Sequence, residues 1–347
     1  MLLKFFALRE IPAVLLFGAL LLLGGCGRDS VTTAEDSKIV MGTVARLTVR
    51  ADEITAQAAL RDGMAVLTQV ERDADGTAIA AVESAAGTGT WSEISPELYE
   101  TLTRAQEIAR RSGGAFDVTA GALTELWERA RTEKHPPSPE AVAEARTRVG
   151  YEALELDAVE DNGQTKYQAR LMKAGMKIDR GALIKGLALD RIHRSWQDAG
   201  VSNALADLGT SSILGMGANE EGESWQIGIR NPRGEGPADV TGVLPLYDEV
   251  LSTSGDDERY FIYEGRRYHH IIDPRTGYPS DMGIASATVI LPIEQNDPLW
   301  QGHAGLLSDM LSTAFFILGP EERRKLIVAF PETFVILLGS DGKIVGE

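Results

Sequence analysis

Apolar and polar residues alternate from Ile39 to Arg50, the period-2 pattern of a half-buried strand, and the spacing then changes. Ile54, Leu60, Met64, Leu67 and Val70 fall close to one helical face, so a strand is expected to lead into a long helix. Ser95-Pro96-Glu97 supplies an N-cap with proline at the first helical position. Leu98, Leu102, Ala105 and Ile108 then share a face until Gly113-Gly114 stops the helix. Ser138-Pro139-Glu140 repeats the start signal, and Gly150 ends that helix. Tyr151 to Asp157 and Thr165 to Met172 read as a hairpin around Asp161-Asn162-Gly163. Tyr260 to Tyr263 and Arg267 to His269 read as another, around Glu264-Gly265. Further strands are expected over 203–208, 211–214, 225–230, 242–246, 284–291 and 334–338, and Leu306 to Ala314 fall in a late, largely buried helix. Helices and strands mix without strict βαβ alternation or internal repeat, which predicts an α+β fold. Arg131 to Pro139 is charged and proline-rich, the mark of an exposed loop between helices and not of a boundary, so residues 38–347 are expected to form one domain.

The N-terminus changes the picture. Lys4 and Arg9 precede an apolar run from Ile11 to Leu23 that is shorter than the roughly 20 residues a spanning helix needs. Leu23-Gly24-Gly25-Cys26 places small residues before the only cysteine. Residues 1–25 therefore read as a lipoprotein signal peptide, Cys26 as the lipidated first residue of the mature chain, and 26–37 as a polar tether. One cysteine excludes an internal disulfide. The net charge of −17 and pI near 4.8 argue against nucleic acid and against a basic lipid-binding face. A site for an anionic ligand on such a chain must bring its own local cations.

The densest chemistry lies in His269-His270-Ile271-Ile272-Asp273-Pro274-Arg275-Thr276-Gly277, in a chain with five histidines. His270 at the end of a strand offers a near-neutral base, with a carboxylate and a guanidinium close behind it. The plainer reading is a polar loop with a capping Asp and a solvent-facing Arg. Gly113-Gly114-Ala115-Phe116-Asp117 leaves a helix through two glycines, either a simple stop or a place where a ligand approaches backbone. Asp179 to Gly186 passes from strand to helix, where free amides suit phosphate; Asp179 is equally well a cap and Lys185 a solvated charge. Asp309 and Thr313 are four apart on the late helix, so both oxygens can reach one hard cation.

These motifs, in this order from Met41-Gly42-Thr43 to the C-terminus, resemble those of the FAD:protein FMN transferases, the ApbE lipoprotein family. The resemblance implies an Mg²⁺-dependent transferase that moves FMN from FAD onto a Thr or Ser hydroxyl of an acceptor redox protein and releases AMP. It implies FAD contacts at Met41, Ala115, Phe116, Asp117, Asp179, Lys185, Ile271 and Arg275. It also implies a cation on Asp309, Thr313 and the carbonyl of Ala182, and a membrane-anchored protein at the periplasmic face of the inner membrane. His270 is the expected base, because its ordinary pKa lies near working pH, and Asp309 the rival. Arg275 binds phosphate or, equally, pairs with Asp273. The chain departs from the family pattern at Asp73 to Ala81, which lacks an expected flavin-stacking aromatic, at Leu187, and at Gly209-Thr210. Two other readings stay open: an FAD pyrophosphatase that uses water as acceptor, and a non-catalytic flavin-binding lipoprotein.

Overall fold

The computed structural model describes residues 31–345 except 75 and 237, so the expected signal peptide and Cys26 lie outside the described residues. Strands β1 (Thr32–Val40) and β2 (Thr43–Ala51) form an antiparallel hairpin. Its turn residues Met41 and Gly42 have φ of 52° and 71°, the mirror-image geometry of two-residue hairpin loops. This corrects two expectations. The single strand from Ile39 to Arg50 is two strands, and residues 32–37 belong to the sheet instead of the tether. Strand β1 is an edge strand that leaves most of its side chains exposed, so it carries no apolar alternation by which it could be read.

Helices α1 (Glu53–Ala74) and α2 (Thr77–Ser84), strand β3 (Ser92–Ile94) and helix α3 (Pro96–Arg111) follow. Ser95 caps α3 by accepting the N–H of Leu98 at 3.2 Å. Helix α4 (Gly121–Glu133) leads to α5 (Pro139–Thr147), which Ser138 caps in the same way, and then to the expected hairpin of β4 (Leu154–Asp161) and β5 (Gln164–Leu171). Beyond α6 (Ile184–Asp198) come β6 (Ala204–Leu208), β7 (Ser212–Met216), β8 (Trp225–Arg230), β9 (Val240–Leu246) and β10 (Glu249–Gly255). The next hairpin joins β11 (Tyr260–Tyr263) to β12 (Arg266–His269), followed by the short pair β13 (Ile272–Asp273) and β14 (Tyr278–Pro279). The chain closes with β15 (Ile284–Pro292), α7 (Ala304–Ile317), α8 (Pro320–Ala329) and β16 (Phe334–Gly339).

The main sheet has seven strands in the order β1-β2-β6-β7-β10-β15-β16, and every neighbouring pair is antiparallel. Mixed helices around antiparallel sheets are the α+β class expected. Helix α7 packs on β10, β15 and α6 and buries Leu306, Leu307, Met310, Leu311, Ala314 and Phe315, which is why it is apolar almost all round. Strand β10 was not anticipated, because Ser252, Thr253 and Ser254 make it polar. It is nonetheless central: Ser252 and Ser254 bond the α7 hydroxyls of Ser308 and Ser312 at 2.8 and 2.9 Å, and Thr253 bonds Thr288 of β15 at 2.9 Å. Helices α6 and α7 cross at Gly186 and Gly305, where a Cβ on either would lie 2.6 Å from the other's carbonyl oxygen, so both positions require glycine.

Candidate active site

A cleft of about 370 Å³ opens between the start of α6, the polar end of β10, one face of α7, the first turns of α4 and the β11–β12 hairpin. Ala115, Phe116, Asp117, Asp179, Ala182, Lys185, His270, Ile271, Asp309 and Thr313 all line it. Residues far apart in the chain thus meet because α7 is threaded under β10 and across α6.

Asp309 faces the cleft from α7. Its Oδ2 accepts the N–H of Gly186 at 3.0 Å and its Oδ1 the hydroxyl of Ser212 at 3.4 Å. Burial pushes its carboxyl up to about 6, against the opposing pull of Lys185 and of those donors. Lys185 Nζ donates to Ser211 Oγ at 2.6 Å. Thr313 Oγ1 lies 3.1 Å from Ser254 Oγ and 3.5 Å from the Asp309 carbonyl, so its back-bond to its own helix is the weaker contact. Asp309, Thr313 and Ala182 line one space, and the carboxylate and hydroxyl among them are hard oxygen donors of the kind a hard cation takes. Among the described residues no cluster of three or more His, Cys, Asp or Glu side chains offers a different metal site.

Asp117 is buried, with Oδ1 taken by the N–H and hydroxyl of Thr119 at 2.8 and 2.7 Å and Oδ2 by the Tyr151 N–H at 2.9 Å. Burial raises its pKa and these bonds oppose the rise. Asp179 caps the turn at Arg180–Ala182 through the Gly181 N–H at 3.1 Å and accepts from Thr124 Oγ1 at 2.7 Å, so its capping reading holds while it lines the cleft.

The two histidines differ. His269 Nε2 donates to the Ser280 carbonyl at 2.9 Å, its Nδ1 accepts the Ile271 N–H at 3.3 Å, and its ring stands edge-on to Phe316; all its polar capacity is engaged. His270 keeps part of its ring open to the cleft while its Nδ1 is buried without a hydrogen-bond partner. Burial, then the charges of Arg259 and His269, lower its pKa to about 3. Burial thus favours the neutral imidazole, a tertiary effect that an expectation built on the ordinary pKa does not contain.

Two expected FAD contacts fall outside the cleft lining. Met41 lies in the β1–β2 turn, donates its N–H to Glu71 at 2.6 Å and packs against the core between α1 and the sheet. Arg275 is held by Asp273, Nε to Oδ1 and Nη2 to Oδ2 both at 2.9 Å, and by Glu322 at 3.0 Å. Its fork is engaged in fixing the loop, as the pairing reading expects. Ser211, Thr253, Ser254, Thr124 and Arg259 line the cleft and went unread. The Ser-Thr-Ser-Gly run was a usable signal, and so was the hairpin, whose register ends at Tyr260 opposite His269 and is extended by the His270 N–H donating to the Arg259 carbonyl.

Of the departures, Asp73, Gly76, Thr77, Ala78, Ile79 and Leu187 come together in a second cavity of about 400 Å³, lined also by Val70, Leu98 and Arg191, which pairs with Glu97 and Asp73. Thr210, where the family often has glycine, sits at φ 63° with its N–H on Asp207 Oδ1 at 2.6 Å.

The fold and cleft define a class: an α+β protein that can hold a phosphate-bearing ligand, a hard cation and a neutral histidine together. The ApbE family model matches residues 41–337. The FAD:protein FMN transferase of Treponema pallidum (strain Nichols) is 32% identical over 337 residues, 93% of this chain and 89% of that protein. That of Haemophilus influenzae is 33% identical over 235 residues, 66% of this chain and 62% of that protein. The crystal structure of the ApbE protein from Thermotoga maritima aligns with a TM-score of 0.75 at 28% identity, covering 90% of this chain and 96% of that chain. The flavin transferase ApbE from Vibrio cholerae, at 22% identity and a TM-score of 0.71 over 91% of this chain and 96% of its own, shares the fold. The chain belongs to the ApbE family and is an enzyme of the transferase class.

Proposed function

We propose that this protein transfers the FMN part of FAD to a threonine or serine hydroxyl of an acceptor redox protein, with Mg²⁺ as its cation and AMP as the leaving group. A lipid on Cys26 would hold it at the periplasmic face of the bacterial inner membrane. The observation that carries the reading is that Lys185, Asp309, Thr313, Ala182 and His270 line one cleft, so a diphosphate, a hard cation and an acceptor hydroxyl can meet there. Its relatives named FAD:protein FMN transferase support it.

Asp309, Thr313 Oγ1 and the Ala182 carbonyl would hold the cation, and Lys185 would receive phosphate oxygens. Bound Mg²⁺ would supply charge neutralisation on the diphosphate. The acceptor oxygen forms a bond to the FMN phosphorus as the bond from that phosphorus to the AMP oxygen breaks; AMP leaves with the electron pair, and the hydroxyl proton goes to His270. A neutral imidazole is ready for that proton. A diphosphate beside the ring raises its basicity, so substrate binding itself makes His270 a competent base.

The test is to incubate the full chain with FAD, Mg²⁺ and candidate acceptors. AMP should appear in step with flavin fluorescence retained on a denaturing gel. AMP with free FMN and no retained fluorescence would favour the pyrophosphatase, and no AMP at all would sink both. Mass spectrometry of the mature N-terminus should find a lipid-modified Cys26, and an uncleaved or unmodified N-terminus would remove the anchor.

A further inference from the structure

Arg259 lies just before β11. The hairpin register pairs Tyr260 with His269, and the next rung is closed by the His270 N–H donating to the Arg259 carbonyl at 3.0 Å. Arg259 and His270 are therefore cross-strand neighbours, which share a face with Cβ atoms about 5 Å apart. Both line the cleft.

The other cations near the cleft are engaged. Arg131 pairs with Glu128, Arg180 with Glu83, Arg275 with Asp273 and Glu322, and Lys185 with the Ser211 hydroxyl. Among the described residues the Arg259 guanidinium makes no hydrogen bond, ion pair or ring contact. Glu128, the carboxylate that feels its charge, is already held by Arg131. Arg259 thus presents five free donors in a planar fork to the cleft of a strongly acidic chain, beside the His270 imidazole with its unpartnered Nδ1.

We propose that Arg259 is a catalytic residue: its guanidinium binds the oxygens of the phosphoryl group under attack, from the hairpin wall of the cleft, as charge redistributes over them. The proposal rests on the transfer reading above. An arginine aimed at a transferring phosphoryl group acts mainly in the transition state, so its loss lowers turnover more than substrate affinity.

The experiment compares the full chain with Arg259→Gln and Arg259→Lys. Turnover with FAD, Mg²⁺ and acceptor is measured, together with calorimetric binding of inorganic pyrophosphate plus Mg²⁺. Arg259→Gln should lower kcat by about 10²- to 10³-fold with KM for FAD changed less than about fivefold, and should weaken pyrophosphate about tenfold. Arg259→Lys should recover part of both, because it keeps the charge and loses the fork. The residue is exposed, so equal thermal midpoints are expected for all three proteins. Wild-type kcat and pyrophosphate affinity in folded Arg259→Gln would overturn the proposal, and so would an effect confined to KM for the acceptor, which would make Arg259 a docking residue. A wild-type protein that releases no AMP from FAD would sink the transfer reading alone. Pyrophosphate binding would still decide whether Arg259 meets phosphate.

Discussion

The two walls of the cleft are built on different terms. Where α6 meets α7, each helix caps the other: Asp309 of α7 accepts the Gly186 N–H at 3.0 Å, and the buried Asp190 of α6 accepts the N–H groups of Gly305 and Leu306 at 2.6 and 3.0 Å. On the hairpin wall His270 Nδ1 has no partner, and the Arg259 guanidinium is equally free among the described residues. A wall of mutually tied groups holds its donors at fixed positions, which on the proposed transfer would suit a cation and a diphosphate. A wall of free groups suits the part of the reaction in which a proton moves and charge redistributes. Burial pushes the titratable group of each wall toward its neutral form, Asp309 up to about 6 and His270 down to about 3.

If that division holds, the largest effect belongs to the tied wall. Asp309→Ala should remove Mg²⁺-dependent turnover altogether, since the cation loses its one charged protein ligand and α6 loses a cap at Gly186. Thr313→Val should cost much less. Near wild-type turnover of Asp309→Ala at ordinary Mg²⁺, in the coupled FAD and acceptor assay, would dissolve the contrast between the walls.

The free wall comes next. His270→Ala should retain FAD, read by flavin fluorescence titration, yet slow transfer by about 10²- to 10⁴-fold. His269→Ala should do the reverse, costing about 2 kcal/mol of stability through two lost hydrogen bonds with little change in rate. A rate loss confined to His269→Ala would exchange the roles of the two neighbours.

Much of this layout was legible in the chain, and the rest was hidden for physical reasons. Caps such as Ser95 and Ser138 declare themselves locally, and Asp309 four residues before Thr313 on an apolar helix has no cheap alternative to a partner. The family resemblance that the ordered motifs carry implied that His270, Lys185 and Asp309 meet, and all three line the cleft. What could not be read was how tertiary neighbours distribute partners. Arg275 stands two residues from Asp273 in the sequence, but only the fold shows that Glu322 completes the clamp. Strand β10 is polar yet central because α7 supplies hydroxyls to match. The His270 pKa depends on burial, which no local window contains.

A smaller effect tests the crossing that ties the helix wall. Gly305→Ala places a Cβ 2.6 Å from the Gly186 carbonyl and 2.7 Å from Asp190 Oδ1, so the helices must part or Asp190 must release its bonds. It should cost about 1–3 kcal/mol in denaturant unfolding and raise the Mg²⁺ concentration needed for half-maximal rate. Gly242→Ala, with open space around its Cβ, is the control. An unchanged Mg²⁺ requirement in a destabilised Gly305→Ala would separate the crossing from the cation site.

The smallest expected signal is the pH dependence of stability, because the two walls act in opposite directions. The Asp309 carboxyl is raised from 3.8 to about 6, so the folded state binds the extra proton between those values. Its contribution is full below 3.8 and is lost as pH rises through 6. The His270 imidazole is lowered from 6.5 to about 3, so the unfolded state binds the extra proton. Its contribution is full above 6.5 and is lost as pH falls toward 3. In the metal-free protein the two shares largely cancel across roughly pH 4 to 6, leaving a net change of about 1 kcal/mol. Removing either should expose the other. Relative to wild type, Asp309→Asn should become more stable as pH rises through this window, and His270→Gln should become less stable. Saturating Mg²⁺ should make the wild-type profile follow that of Asp309→Asn, because a bound cation keeps the carboxylate ionised. Thermal midpoints of the three proteins from pH 4 to 7, with and without Mg²⁺, would read this directly, and parallel profiles for all three would show that burial does not set the charge of either wall.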